Sequence, residues 1–257
     1  MSSDARSSTP PPAHHRARCA DSAAFGALLL GAPAAPASPR APAPAPAPAA
    51  EPFALPGGQT QFAVTLRGVL SAAECAAVVA ETERRGYGAA LLNVGGGREV
   101  LATEVRDSAR AIVDSPEFAD AIFARVAHAL PRALGPAGSR WRLVGLNERL
   151  RFLRYDAGQR FEMHHDGAFE RPRRGALAGQ RTFVTVLLYL NEGYEGCETT
   201  FYDAEGGGAA PLPPATGLVL LHDHRILHAA TPLRAGRKYV LRTDVLYEPA
   251  PDDGGQE

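Results

Sequence analysis

From Trp141 to Asp156 the sequence reads WRLVGLNERLRFLRYD, and here helical periodicity gives way to short alternating runs. The same texture returns in TFVTVLLYLNEG from Thr182, ETTFYDAEG from Glu198, TGLVLLHDHRILH from Thr216 and KYVLRTDVLY from Lys238, with Gly and Pro breaks between them. Side chains on a strand alternate between its two faces, so runs of this length and spacing predict short strands packed as a β-sandwich or jelly roll.

Ahead of Trp141 the pattern is different. QFAVTLRGVL, Gln61 to Leu70, alternates like a strand, and SAAECAAVVAETERRG then predicts a helix. Ser71 is its N-cap, Glu74 completes a capping box and Gly86 stops it. A second helix fits DSPEFADAIFARVAHALP, capped by Asp114 or Ser115 with Pro116 in the first turn. Its Phe118, Ile122, Val126 and Leu130 recur at about one turn's spacing. Helices followed by grouped strands predict an α+β fold rather than alternating βα units.

The first fifty residues hold ten of the 22 prolines and end in APAPAPAPAA, Ala41 to Ala50. Such a segment cannot bury enough apolar surface to offset the entropy of ordering it. Residues 1–52 are therefore expected to be a disordered Ala/Pro-rich tail, 53–250 a folded domain and 251–257 a second tail. Arg16 and Arg18 before AAFGALLLGA give the tail a second reading, an N-terminal targeting segment, although the basic region is displaced and Gly26 interrupts the apolar run.

With 27 Lys+Arg against 28 Asp+Glu the net charge is −1, which disfavours nucleic acid as a partner. No apolar run approaches the roughly 20 residues of a membrane span. Cys19, Cys75 and Cys197 are few and far apart, so no disulfide framework is implied and a reducing compartment such as the cytoplasm is favoured.

Chemistry concentrates in QRFEMHHDGAF, Gln159 to Phe169. In a strand, His164 and Asp166 project to one face and His165 to the other. Two such ligands need a third, and His222, His224 and His228 are the candidates. A 2-His-1-carboxylate set with open positions is the ligand set of non-haem Fe(II) oxygenases. Ten residues after His228 comes Lys238, which shares a strand face with Val240 and Arg242. A lysine on a core-like strand is costly unless an anion meets it, and a dicarboxylate cosubstrate would supply one.

YDAGQRFEMHHDG, TVLLYLNEGYEGCETTFY and HRILHAATPLRAGRKYVLRTDVLY together resemble the prolyl 4-hydroxylase-like family of Fe(II) and 2-oxoglutarate dependent dioxygenases. The likeness runs from about Leu146 to Tyr247. It implies a double-stranded β-helix, a jelly-roll variant, over about 141–248, buttressed by the N-terminal helices. It implies His164, Asp166 and His228 as iron ligands, Lys238 as partner of the distal carboxylate of 2-oxoglutarate, and Tyr155 and Tyr189 as pocket tyrosines. The implied reaction uses O2 and hydroxylates a protein, peptide or small-molecule substrate, with peptidyl proline as one candidate. It yields succinate and CO2, and ascorbate serves as reductant.

Two departures stand out. Cys197 replaces the second Gly of the family's Gly-Gly turn, and Arg237 precedes Lys238, where some relatives use an Arg nine residues after the distal His; strand alternation lets only one of the two face inward. The alternative to catalysis is a non-catalytic cupin-like metal-binding or sensing jelly roll; a further alternative is a cupin-like centre at His222 and His224 with a different metal. Arg106, Asp107 and Arg110 are candidates for a substrate groove, Arg171, Arg173 and Arg174 for the mouth of the site, and Gly95–Arg98 and Glu205–Gly208 for flexible turns.

Overall fold

The computed structural model describes residues 25–28, 47–94, 98–134, 141–172, 175 and 177–250. The bulk of the expected N-terminal tail, with Arg16 and Arg18, lies outside them, as do Gly95–Gly97, Arg173, Arg174 and the tail 251–257.

The longest strands build one antiparallel sheet. Its order is Ala50–Pro52, Ala63–Leu66, Val219–Asp223, Arg181–Tyr189, Lys238–Pro249, Arg149–Tyr155, Ala109–Asp114 and Gly88–Ala89. Trp141–Leu146 also pairs with the far half of Lys238–Pro249. A smaller sheet runs Ala209–Leu212, Thr199–Tyr202, His228–Ala230, Arg160–His164 and Arg106–Asp107. The two sheets face each other as a jelly roll.

Period-two alternation divides the large sheet's side chains. Leu150, Phe152, Val184, Val186, Leu188, Val219, Leu221, Leu241 and Val245 join one apolar cluster on the outer face. Leu153, Tyr155, Leu187, Tyr189, Leu220 and Val240 point the other way and pack with Phe201 and Leu212 of the small sheet. Each fully buried aliphatic or aromatic side chain contributes on the order of 1.5–3 kcal/mol.

Two helices, Ala72–Arg85 and Pro116–Val126, share the outer cluster through Cys75, Val78, Phe118, Ala119, Ile122 and Val126. The first has the capping box: Ser71 Oγ accepts from Glu74 N, and Glu74 Oε2 accepts from Ser71 N at 2.7 Å. It ends at Gly86, φ 85°, whose N–H returns to Thr82 and Glu83. Ser115, rather than Asp114, caps the second, accepting from Phe118 N at 3.3 Å with Pro116 just inside. Glu83 ties the first helix to the large sheet, accepting from Arg154 Nη1 at 3.1 Å and from the Tyr239 hydroxyl at 2.5 Å.

One expectation changes, at two places. The tail reading does not hold at residues 25–28, a helical turn whose Phe25 is fully buried with ring centroids 5.0 Å from Phe118 and 5.2 Å from Phe152. Nor does it hold at Ala50–Pro52, which pairs along Val64 to Leu66. An apolar side chain, even in an Ala-rich segment, is drawn to an uncovered core face.

Candidate metal centre and its cavity

His164 and His228 come from neighbouring strands of the small sheet and stand opposite each other in register. Opposed residues on an antiparallel pair bring their side chains together, and here the ring centroids are 4.3 Å apart. Each Nδ1 lies against a carbonyl two residues back: Glu162 O at 2.7 Å for His164 and Ile226 O at 3.0 Å for His228. A carbonyl can only accept, so Nδ1 carries the proton and Nε2 presents its lone pair. Burial lowers the pKa of both imidazoles, that of His164 to about 3, which keeps them neutral donors.

The strand ends at His164, so alternation alone does not orient Asp166. Its backbone N–H donates to His224 O at 3.0 Å, and its carboxylate receives Thr185 Oγ1 at 2.5 Å and Arg242 Nη2 at 2.9 Å. Burial opposes the charged form, but the Arg242 guanidinium outweighs it and holds the carboxyl well below its usual range. The ligand atoms of His164, Asp166 and His228 all lie within 4.8 Å of one another, close enough to hold one metal ion. Neutral imidazole nitrogens and one ionised carboxylate fit the 2-His-1-carboxylate donor set.

The other histidines separate cleanly. His165 is exposed at the cavity rim. His224 is directed to Asp244, with Nε2 3.4 Å from Oδ1. His222 stands beside the cluster: its Nδ1 lies 3.1 Å from Asp223 O, while its buried Nε2 lies 3.8 Å from Asp166 Oδ2 and has no hydrogen-bond partner among the described residues.

His164, His165, Asp166 and His228 border a cavity of about 430 Å³ that also reaches Tyr155, Thr199, Lys238 and Arg242. Lys238 is 2% exposed, and its Nζ donates to Cys197 O at 2.6 Å and sits 5.4 and 5.5 Å from the ring centroids of Tyr155 and Tyr189. Burial lowers its pKa. Arg237 points the other way, half-exposed and bonded to Asp156. The Tyr189 hydroxyl donates to Thr199 Oγ1 at 2.6 Å, while the Tyr155 ring packs under the lysine. Cys197 keeps the left-handed turn despite its side chain: at φ 55° it is the one non-glycine with positive φ among the described residues. A Cβ on the preceding Gly196 would come within 2.3 Å of Pro232 O.

Arg106 and Arg110 line the cavity, whereas Asp107 instead accepts from Gln159 Nε2 at 3.0 Å. Arg171 binds Glu148, with Nη1 3.0 Å from Oε1. Glu205 to Gly208 form a turn held by Asp203, whose Oδ2 accepts from Gly207 N at 2.7 Å. Sequence reasoning missed Thr185 and Arg242 as the clamp on Asp166. The available signal was parity: Thr185 alternates with Leu187 and Tyr189, and Arg242 with Lys238 and Val240.

Residues 150–243 match the family model described as the 2OG-Fe(II) oxygenase superfamily. The match spans 94 of the chain's 257 residues. Part of the chain is similar in sequence to prolyl 4-hydroxylases. Over 61 residues, 23% of the chain, it is 48% identical to probable prolyl 4-hydroxylase 8 of Arabidopsis thaliana, and over 113 residues, 36% of the chain, 32% identical to prolyl 4-hydroxylase 13 of the same plant. Those stretches take in 20% and 40% of the two plant proteins. In fold, the chain is similar to a prolyl hydroxylase from Trichoplax adhaerens solved with a hypoxia inducible factor peptide fragment. The TM-score is 0.55 at 18% identity, covering 72% of this chain and 84% of that one. It is also similar to the viral collagen prolyl hydroxylase of Paramecium Bursaria Chlorella virus-1 in its 2OG complex, with TM-score 0.51 and 17% identity over 72% of this chain and 96% of that one.

Proposed function

We propose that this chain is an Fe(II)- and 2-oxoglutarate-dependent dioxygenase that hydroxylates its substrate. The observation that carries this reading is the convergence of His164, Asp166 and His228 at one end of a cavity that also contains Lys238, a buried cation with no carboxylate partner among the described residues.

His164 Nε2, Asp166 and His228 Nε2 would hold the iron. Thr185 and Arg242 fix the carboxylate so that one oxygen arrangement faces the imidazoles. Lys238 would pair with the distal carboxylate of 2-oxoglutarate, and the Tyr155 and Tyr189 rings keep water from that pair. When bound, iron and 2-oxoglutarate supply O2 activation coupled to decarboxylation of the cosubstrate to succinate and CO2, with hydroxyl delivered to the substrate. Ascorbate is the reductant in this reading. Peptidyl proline is the first substrate class to test, because the curated relatives are prolyl 4-hydroxylases by name.

The test is succinate formation from 2-oxoglutarate with Fe(II), O2 and ascorbate, followed by mass spectrometry of a proline-containing peptide panel for a gain of one oxygen. Iron-dependent succinate supports the reading. Tight Fe(II) binding with no succinate under any peptide would favour the cupin-like binding module instead.

A further inference from the structure

The cavity's charges pair off with one exception that the proposed chemistry does not use. Arg110 meets Glu99 at 3.0 Å, Arg151 meets Asp244 at 3.3 Å, and Arg242 meets both Asp166 and Asp244. Lys238 is reserved for the cosubstrate. Arg106 remains. Its Nε is buried with no hydrogen-bond partner, and no carboxylate among the described residues forms an ion pair with it. Its Cζ stands 4.8 Å from the centroid of Phe161, and the same ring stacks on His164 at 3.6 Å. Register explains the stack, because Arg106 pairs directly with Phe161 at the edge of the small sheet.

A guanidinium remains charged at any working pH, so partly burying it without an ion-pair partner among the described residues is unfavourable unless something arrives to meet it. Burial, Arg110 and Arg242 oppose its charged form and outweigh Tyr155 and Asp166, which favour it. A stack on one aromatic face offsets only part of that cost. Arg106 belongs to the small sheet and Lys238 to the large one, so the two unpaired cations sit on different walls of the cavity.

We propose that Arg106 is a substrate-binding residue that receives a carboxylate, and that the cavity therefore selects acidic substrates. The inference rests on the oxygenase reading only in assigning Lys238 to 2-oxoglutarate. A carboxylate meeting the planar guanidinium can bind through two parallel N–H donors, which a neutral amide cannot match.

The experiment is calorimetric binding to the full chain loaded with Fe(II) without oxygen, with and without 2-oxoglutarate. The probes are two matched pairs: the α-methylamide of N-acetylglutamate against that of N-acetylglutamine, and the capped peptide Glu-Pro-Gly against Gln-Pro-Gly. The acidic member of at least one pair should bind about 10- to 100-fold tighter. Which pair discriminates tells a small acid from an acidic peptide. Arg106→Gln should erase the preference while leaving 2-oxoglutarate affinity within about twofold, and Arg106→Lys should restore part of it. Equal affinity within both pairs, no binding of either acid, or a loss of 2-oxoglutarate affinity in Arg106→Gln would each overturn the proposal. Failure of the wild-type chain to bind 2-oxoglutarate would count against the oxygenase reading, while the acid preference still judges Arg106.

Discussion

The two faces of the large sheet are made from the same strands yet hold opposite chemistries. Toward the helices, Phe152, Val186, Leu241 and Val245 form an apolar surface with no charge to satisfy. One residue along in each strand, Arg151, Thr185, Arg242 and Asp244 line or approach the cavity. The outer face contributes stability through burial; the inner face keeps buried charge in place for a ligand, a cost that the outer face must offset. Because alternation alone separates them, substitution on one face should move stability and on the other function.

The largest effect is expected on the inner side. His164→Ala, Asp166→Ala or His228→Ala should abolish Fe(II)-dependent succinate formation, while His165→Ala, at the exposed rim, largely spares it. Equal loss from His165→Ala would show that the ligand set is wrong.

Next comes the outer face. Phe152 is fully buried against Phe25 and Phe118, so Phe152→Ala should cost about 3–5 kcal/mol in a denaturant titration. A loss below about 1 kcal/mol would mean that the outer cluster is not the stabilising side.

Lys238→Ala should raise the 2-oxoglutarate concentration needed for half-maximal succinate formation by about 10- to 100-fold, the scale of one charge-assisted hydrogen bond. Iron affinity measured without cosubstrate should change much less. An unchanged cosubstrate requirement breaks the assignment.

The smallest effect belongs to its neighbour. Arg237 is half-exposed and joined to Asp156 at the surface, so Arg237→Ala should alter stability by no more than about 1 kcal/mol and leave the cosubstrate requirement alone. A large rise in that requirement would transfer the role from Lys238 to Arg237.

Much of this was legible in the chain because it depends on local spacing. The Ser71 and Glu74 capping box, the Gly86 stop and the strand texture after Trp141 are short-range patterns, and all appear where they were read. Parity lets only one of Arg237 and Lys238 face inward, the family likeness favours Lys238, and Lys238 is the one that does. Asp166 is a partial case. The spacing drew attention to it, but the strand stops two residues earlier, and its carboxylate is aimed by Thr185 and Arg242 from the opposite sheet. The burial of Phe25 was not legible at all, since composition described its segment as tail and only a distant pair of aromatic rings gives it a place.

The sequence by itself determined the strands, the two faces they present and the set of residue types able to hold a metal, because backbone geometry turns spacing into direction. The tertiary structure decided which groups meet. It set His228 opposite His164 and clamped Asp166 from the other sheet, and among the described residues it left His222 Nε2 unpartnered and Arg106 without an ion-pair partner. Those outcomes depend on distances between residues far apart in the chain, and such distances exist only once the two sheets have closed on each other.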